Sequence, residues 1–235
     1  MSKKAICLLS GGLDSTITTY FAHHHSYDIS TLTINYGQQH ARELQSAQKT
    51  IQHLNIKNHK NLTIDLSHLH STSLIKTTSK KIDTHNISEI GTAIPSTYVP
   101  ARNIIFLSLA LSWAESLKCD AIFIGVNALD YSGYPDCRPE FIKAFQSMAN
   151  LGTKTGTEGK PIQIKTPLLT KTKKEIILLG NELGVPFEHT WSCYKGEIKA
   201  CGQCDSCLLR LKGFQDAGLP DPLPYQHYPS WYTKK

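Results

Sequence analysis

The sequence of 235 residues contains no run of about 18 apolar residues, the length that a membrane-spanning helix needs. The apolar run before the first glycines is also too short for a secretion signal. These two absences exclude the common membrane and secreted classes. We therefore expect a soluble, cytoplasmic protein with no membrane partner.

The cysteines do not form the even set that a disulfide framework requires, because there are seven of them. Four are clustered with the spacing C-x7-C-x2-C-x2-C, at Cys193, Cys201, Cys204 and Cys207. Two-residue gaps let neighbouring thiolates bind one tetrahedral Zn²⁺, and four sulfur ligands leave no position for water, so we expect one structural zinc ion per chain. An iron–sulfur cluster, a redox-active C-x-x-C pair and free thiols are the alternatives.

Two common phosphate-binding motifs are also missing, since the sequence has neither G-x-x-x-x-G-K-[ST] nor G-x-G-x-x-G. Its first glycines stand instead in the string S-G-G-L-D-S, residues 10–15, between a predicted strand and a predicted helix. Gly11 and Gly12 allow a tight turn that exposes backbone N–H groups at a helix N-terminus, where an anion is favoured. An ordinary strand-to-helix turn with serine or aspartate as N-cap is the alternative.

The net charge of +6 suits an anionic partner such as a nucleotide or a carboxylate, and it also suits simple solubility. The basic residues are dispersed, and a dense stripe of arginine and aromatic residues is absent. We therefore expect small-molecule partners and no direct contact with nucleic acid.

Periodic apolar residues predict strands and helices in alternation along most of the chain. The predicted strands are 5–9, 29–35, 59–65, 121–125 and 162–165, and the predicted helices are 14–24, 39–54, 103–117, 138–150 and 173–183. This order predicts a Rossmann-like α/β fold, an open parallel sheet of about five strands flanked by helices. We expect residues 1–184 to form that domain, with a polar excursion or lid at 66–100, and residues 185–235 to form a small zinc-binding region packed on it.

Polar side chains follow several predicted strands, where an open parallel sheet binds its ligands. Tyr36 and Gln38 follow the second strand, Arg102 opens a helix, and the loop G-V-N-A-L-D-Y-S-G-Y-P-D-C-R-P-E-F follows the fourth strand. An arginine at such a position can bind a carboxylate or phosphate through two hydrogen bonds. Each segment also fits a solvated loop or helix start, so none identifies a ligand by itself.

The string S-G-G-x-D-S after a first strand resembles the pyrophosphate loop of the ATP pyrophosphatases, whose substrates attack the α-phosphate of ATP and release pyrophosphate. The chain as a whole is similar to the 7-cyano-7-deazaguanine synthase family, through S-G-G-L-D-S, N-Y-G-Q-Q-H, V-P-A-R-N, D-Y-S-G-Y-P-D-C-R-P-E-F, T-P-L-L-T-K-T-K-K-E-I, T-W-S-C-Y, C-G-Q-C-D-S-C and D-P-L-P-Y. The similarity runs from Leu9 to about Tyr225 and implies an adenine-nucleotide-hydrolase-like fold. It implies a homodimeric ligase of queuosine biosynthesis that uses ATP, Mg²⁺ and free ammonia to turn 7-carboxy-7-deazaguanine into the nitrile, through adenylated carboxylate and amide intermediates.

The resemblance also implies roles for individual residues. The catalytic set is Ser10, Asp14, Ser15 and Arg102. The ATP-binding set is Leu9, Ser10, Gly11, Gly12, Leu13, Asp14, Ser15, Thr16, Ile17, Thr18 and Thr19. The deazapurine set is Tyr36, Gln38, Asn127, Asp130, Tyr131, Tyr134, Asp136, Arg138, Glu140 and Phe141, and the four clustered cysteines bind zinc. We expect the Asp14 carboxylate either to be linked to Mg²⁺ or to cap the helix. We expect Lys171 and Lys173 either to neutralise phosphate charge or to be solvated.

Two stretches depart from the family pattern. Ala101 stands in V-P-A-R-N where glycine is expected, and a positive φ there would be strained. Residues 194–200 carry lysines where related sequences tend to be glycine-rich.

Two rival functions remain. A tRNA-thiolating enzyme would need a catalytic thiol and an RNA surface. A non-enzymatic zinc module for nucleic acid would have no use for a phosphate-binding turn.

Overall fold

The computed structural model describes residues 2–38, 41–75, 82, 84–91, 93–129, 133–195 and 198–233. The strands are β1 (Lys4–Leu8), β2 (Asp28–Asn35), β3 (Asn58–Thr63), β4 (Ala121–Phe123) and β5 (Gln163–Lys165). The α-helices are α1 (Leu13–His24), α2 (Ala41–His53), α3 (Arg102–Ser116), α4 (Pro139–Gly152), α5 (Lys154–Thr157), α6 (Lys173–Glu182) and α7 (Asp205–Ala217). Single 3₁₀ turns lie at Pro135–Cys137 and Phe187–His189.

The strands form one parallel sheet in the order β3-β2-β1-β4-β5, which confirms the predicted Rossmann-like class. The chain runs outward from β1 to β3 and then returns to β4 on the other side of β1. Strand order therefore reverses between β1 and β4, and sheets of this type bind ligands beside the carboxyl ends of the strands at that point.

Both faces of the central strand are buried, which explains its continuous apolar sequence. Ile6 and Leu8 pack on one face in a cluster with residues of α3 and α4. Ala5 and Cys7 point to the other face, where Ala22 of α1 covers them. Successive side chains of a strand alternate between faces, so one short strand supplies both cores.

The predicted elements agree with the observed ones to within a few residues, but two observed helices, the short α5 and the longer α7, were not predicted. The sequence predicted no helix after residue 184, and this was wrong, because α7 spans 13 residues there. The apolar face of α7 is interrupted by the buried Arg210 and by Gly213. A Cβ at Gly213 would lie 2.3 Å from Lys173 Cγ, so α7 packs closely on α6.

The predicted excursion at 66–100 contains neither helix nor strand in its described part. Leu66, Leu74, Ile75 and Val99 are nevertheless buried, in a cluster with Tyr36. Within the described ranges, the helices are all too short or too polar to cross a lipid bilayer. The proposed domain boundary at residue 184 stays a prediction, and Phe187 and Phe214 beyond it pack against α1 and α6.

Candidate active site and metal centre

The string Ser10–Ser15 forms the turn between β1 and α1. Gly11 has a φ of +89°, and a Cβ there would lie 2.0 Å from the Glu43 carbonyl oxygen and 2.6 Å from the Ala47 nitrogen. Glycine is therefore required both by the backbone conformation and by the close approach of α2. The same contact fixes the first turns of α2 against the glycine turn.

Two serine hydroxyl groups stabilise this turn from within. The Ser10 N–H donates to Ser15 Oγ at 3.2 Å, the two Oγ atoms lie 3.0 Å apart, and the Gly12 N–H donates to Ser10 Oγ at 3.2 Å. The first N–H groups of α1 have no acceptor within their own helix, and the helix dipole makes this end positive. The turn is therefore suited to bind phosphate oxygens.

A cavity of about 220 Å³ lies beside this turn, at the carboxyl ends of β1, β2 and β4. Three cationic side chains line it, namely Arg102, Lys173 and Arg210, together with the carboxylates Asp14 and Glu43. Its aromatic lining consists of Tyr36, Phe106, Tyr134, Trp191 and Tyr194. An apolar wall with a few converging charged groups is the usual composition of a small-molecule site.

Asp14 and Lys173 form an ion pair in this cavity, although 159 residues separate them. Lys173 Nζ donates to both carboxylate oxygens of Asp14, at 2.9 and 3.0 Å, and both side chains are mostly buried. A capping box of Thr172 and Glu175 begins α6 and fixes the first turn that carries Lys173. The solvated alternative for Lys173 is therefore wrong.

The N-cap alternative for Asp14 is also wrong. The N-cap of α1 is Gly12, and no side chain caps the helix. Asp14 lies one position inside the helix, where its carboxylate is held by Lys173 instead. Gly125, after β4, makes room for this turn, because a Cβ there would lie 2.8 Å from the Asp14 carbonyl carbon.

Arg102 is the first residue of α3, and it lines the cavity together with Tyr36 and Tyr134. Ala101, just before it, has a φ of +56°, and a positive φ is strained for alanine. Cys137 also lines the cavity, and burial raises the pKa of its thiol to about 12. A thiol that stays protonated at neutral pH is a poor nucleophile, which argues against the thiolating enzyme.

The predicted ATP-binding residues divide into two groups. Those that line the cavity are Leu9, Ser10, Gly12, Leu13, Asp14 and Ser15, while Gly11 shapes the turn. Thr16, Ile17, Thr18 and Thr19 are buried in α1 and do not belong to the described lining of the cavity. Their contacts with ATP stay predictions.

The predicted deazapurine residues are also divided. Tyr36, Gln38, Asn127 and Tyr134 line the cavity, and Gln38 Oε1 accepts a hydrogen bond from the Tyr36 N–H at 2.8 Å. Asn127 Nδ2 donates to the Leu168 carbonyl at 2.9 Å, and the Tyr134 hydroxyl lies 2.8 Å from Thr97 Oγ1. Asp130 and Tyr131 lie outside the described residues.

Four predicted deazapurine residues are placed elsewhere. Asp136 is buried, and its Oδ2 accepts a hydrogen bond from the Asn103 N–H at 2.9 Å, so it ties the 3₁₀ turn to the start of α3. Arg138 and Glu140 are exposed at the start of α4, and Phe141 packs against the main core. The structure does not bring these four side chains to the lining of the cavity, and their contacts with substrate stay predictions.

Sequence reasoning missed several residues of the cavity, among them Glu43, Trp191 and Arg210. Glu43 lies on an amphipathic helix, where a carboxylate is usually solvated. Arg210 lies on the helix that the sequence did not predict. Trp191 was quoted only as part of the string T-W-S-C-Y, and that string is the one signal from which a contact could have been inferred.

The four clustered cysteines form a candidate metal centre. Their Sγ atoms all lie within 4.8 Å of one another, and the Cys201 and Cys207 Sγ atoms are 3.8 Å apart. That separation matches the edge of a tetrahedron with metal–sulfur bonds of about 2.3 Å. Backbone N–H groups donate to Cys193 Sγ and to Cys201 Sγ at 3.3–3.4 Å, and all four cysteines are buried. Four sulfur ligands complete a tetrahedral metal site and leave no coordination position for water or substrate.

The candidate metal centre is joined to the turn at Ser10–Ser15, which we call the phosphate turn. Two residues before Cys193, the Trp191 N–H donates to the Gly11 carbonyl at 2.9 Å, and the Trp191 ring is covered by the Arg42 guanidinium at 4.2 Å. Farther along α7, Arg210 donates to both oxygens of Asp221 at 2.8 and 3.0 Å. The cysteine cluster thus positions one wall of the cavity.

Comparison with known proteins identifies the family. The family model of the queuosine biosynthesis protein QueC matches residues 4–218. The 7-cyano-7-deazaguanine synthase of Saccharophagus degradans is 52% identical over 227 residues, covering 95% of this chain and 98% of that protein. The synthase of Thermoplasma volcanium is 47% identical over 234 residues, covering 100% of this chain and 95% of that protein.

Among solved structures, the NMN synthetase of Francisella tularensis is similar over 93% of this chain and 78% of that one, with 16% identity and a TM-score of 0.49. That similarity is too distant to add to the assignment. The match over residues 4–218 and the two relatives of about 50% identity are sufficient: the chain belongs to the QueC family of queuosine biosynthesis proteins.

Proposed function

We propose that the chain is a 7-cyano-7-deazaguanine synthase, a ligase that uses ATP to convert 7-carboxy-7-deazaguanine and ammonia to 7-cyano-7-deazaguanine. The family and the names of its relatives support this activity. The observation that carries the proposal is the cavity between the ends of β1 and β4, where a phosphate-binding turn meets three cationic side chains. Such a site suits two anionic substrates that must react with each other.

The first step activates a carboxylate, which is a poor electrophile. A carboxylate oxygen attacks the α-phosphorus of ATP, an O–P bond forms, and pyrophosphate leaves with its electron pair to give an acyl adenylate. The backbone N–H groups of Ser10–Ser15 bind the departing phosphates, and Lys173 and Arg102 stabilise the charge that develops on the phosphate oxygens. Catalysis here depends mainly on holding two anions in reacting geometry.

The remaining steps form the nitrile. Ammonia attacks the acyl carbon, a C–N bond forms, and AMP leaves together with one proton to give the amide. The amide oxygen then attacks the α-phosphorus of a second ATP and releases pyrophosphate. Loss of AMP and two N–H protons from the adenylated amide produces the C≡N bond.

Two metal ions belong to the proposal. Cys193, Cys201, Cys204 and Cys207 would hold Zn²⁺, whose closed sulfur set is suited to structure and not to catalysis. The Mg²⁺ that accompanies ATP supplies neutralising charge to the leaving pyrophosphate. Asp14 is a candidate ligand for Mg²⁺, because phosphate oxygens near Lys173 would compete with its present ion pair.

The proposal includes a homodimer in the cytoplasm and a lid formed by residues 66–100. The homodimer and the location are supported by the resemblance to the family. The lid is supported by Leu74, which lies in that segment and lines the cavity. Light scattering measures the oligomeric state, and equal proteolysis rates of the segment with and without ATP would contradict a lid.

One assay tests the activity. The purified protein receives ATP, Mg²⁺, ammonia and 7-carboxy-7-deazaguanine. We expect a product whose mass equals that of the substrate plus one ammonia minus two waters. Omission of ATP or of ammonia should abolish that product. Asp14→Ala should also abolish it, whereas Asp216→Ala, an exposed residue on α7, should not. Absence of the nitrile, with equal ATP hydrolysis by the native protein and Asp14→Ala, would show that the assignment is wrong.

A further inference from the structure

Glu43 is a carboxylate of the cavity that the steps above do not use. The described lining of the cavity contains two carboxylates, Asp14 and Glu43. Asp14 accepts hydrogen bonds from Lys173 through both of its oxygens, and in the proposed reaction it is already assigned to Mg²⁺. Within the described ranges, the Glu43 side chain has neither a hydrogen bond nor an ion pair. Glu43 is therefore the cavity carboxylate that is available for another group.

The position of Glu43 is set by the phosphate turn. Its backbone carbonyl oxygen would lie only 2.0 Å from a Cβ on Gly11, so Glu43 is packed directly on the turn. Adenylation takes place where that turn holds the phosphates. A side chain that starts at this contact and lines the cavity therefore lies at the end of the cavity where the turn is, which is the end where the proposed function places adenylation.

The charge environment of Glu43 suits proton exchange at neutral pH. Burial raises the pKa of its carboxyl group to about 7, while Arg102 lowers the pKa and Cys193, farther along the chain, raises it through its charge. Tyr36 also faces this group, and burial keeps the Tyr36 hydroxyl protonated by raising its pKa. A carboxyl group with this pKa can accept and release a proton in each cycle.

The chemistry requires such a group twice, since nitrogen loses protons in the amide step and again in the nitrile step. We propose that the Glu43 carboxylate is the catalytic base that accepts the proton from the nitrogen attacking the adenylated substrate. The inference rests on the proposed function and adds a residue to it.

The proton balance is as follows for each step. In the amide step the nitrogen lone pair forms the C–N bond, one N–H bond breaks as its proton passes to Glu43 Oε, and the C–O bond breaks as AMP leaves with the electron pair. Glu43 then releases that proton to water. In the nitrile step the adenylated amide loses one N–H proton to Glu43 and one to water while AMP leaves, and the freed electron pairs complete the triple bond.

The test separates adenylation from proton transfer in the full chain. Glu43→Gln keeps the size of the side chain and removes its basicity. Exchange of labelled pyrophosphate into ATP, with 7-carboxy-7-deazaguanine and without ammonia, should be unchanged in this variant. Formation of amide and nitrile from ammonia should fall by about 10²–10⁴-fold, the usual contribution of a general base. Glu182→Gln, on the exposed face of α6, is the matched control and should leave both reactions unchanged.

A second nucleophile gives a measurement that would not change if the role of Glu43 were purely structural. Hydroxylamine is neutral at pH 7, and its nitrogen gives up a proton to water easily after attack. Hydroxamate formation by Glu43→Gln should therefore fall much less than amide formation from ammonia. Equal losses with the two nucleophiles would overturn the proposal.

Other outcomes are equally decisive. Loss of pyrophosphate exchange in Glu43→Gln would make Glu43 a binding or positioning residue and overturn the proposal, as would normal nitrile formation. If the native protein itself shows no exchange, the proposed function fails, and the role of Glu43 fails with it. Should Glu43→Gln have a lowered melting temperature or metal content, Glu43→Asp serves instead, because it retains a carboxylate at a longer distance. We then expect normal exchange with a partial loss of the ammonia step, and a loss of exchange would overturn the proposal.

Discussion

Replacing Gly11 by alanine perturbs the contact between the phosphate turn and α2. The new Cβ would lie 2.0 Å from the Glu43 carbonyl oxygen and 2.6 Å from the Ala47 nitrogen, both of them backbone atoms. The φ of +89° costs an L-residue about 1–2 kcal/mol. Forcing extra volume into a packed contact costs about 1–3 kcal/mol more. We therefore expect Gly11→Ala to lower the free energy of unfolding by about 2–5 kcal/mol.

Gly159→Ala is the matched control. Gly159 has a φ of +76°, but a Cβ there would meet no atom within 4 Å. This variant should lose only the backbone contribution, about 1–2 kcal/mol. The effect of alanine on the unfolded chain is common to both variants, so the difference between them isolates the steric contribution.

Urea unfolding measures both variants, and a domain with an unfolding free energy near the middle of the usual range of about 5–15 kcal/mol remains folded after either change. ATP binding, followed by calorimetry, should be strongly weakened in Gly11→Ala and unchanged in Gly159→Ala, because only the first moves the N–H groups of the turn. Equal losses of stability in the two variants would refute the close approach of α2.

Four further predictions follow from the same packing and charges. Ala101→Gly should raise the free energy of unfolding by about 1 kcal/mol, because a φ of +56° costs glycine nothing, and an unchanged melting temperature would contradict this. Asp221→Asn breaks a buried ion pair and should cost about 3–5 kcal/mol in urea unfolding, so a loss too small to measure would show that the pair is dispensable. Cys207→Ser should lower the metal content and the melting temperature, whereas Cys119→Ser, far from the cluster, should keep the metal; equal metal contents would refute the centre. Because the pKa of Glu43 is raised to about 7, the folded state binds this proton more tightly than the unfolded state. The resulting stabilisation of the folded state is present at low pH and is lost as the pH rises through about 7. Glu43→Gln should therefore flatten the curve of unfolding free energy against pH, and parallel curves for the two proteins would contradict this.

The sheet and the turn were predictable because their signals are local. A strand buried on both faces is apolar along its length, and a glycine pair after it indicates a tight turn, so β1 and Ser10–Ser15 were found within a residue or two. The cysteine cluster was predictable for the same reason, since two-residue gaps place thiolates side by side.

The rest of the site depends on contacts that no local pattern encodes. The ion pair of Asp14 with Lys173 joins residues that are distant in the chain, and α7 was hidden because a buried arginine interrupts its apolar face. Asp136 looked like a ligand because polar loop residues often are, but its carboxylate is needed for the backbone of α3. Glu43 was not singled out, because only tertiary packing turns that side of α2 toward the cavity.

The link between Trp191 and the Gly11 carbonyl has a consequence for the order of events during synthesis. All five strands leave the ribosome before Trp191, Tyr194 and Arg210, and the acidic partner of Arg210 emerges later still. A nascent chain can therefore form the sheet and the glycine turn while one wall of the cavity is missing. Completion of that wall and of the cysteine cluster beside it is therefore a late event of synthesis, and a chain stalled before residue 207 would lack both.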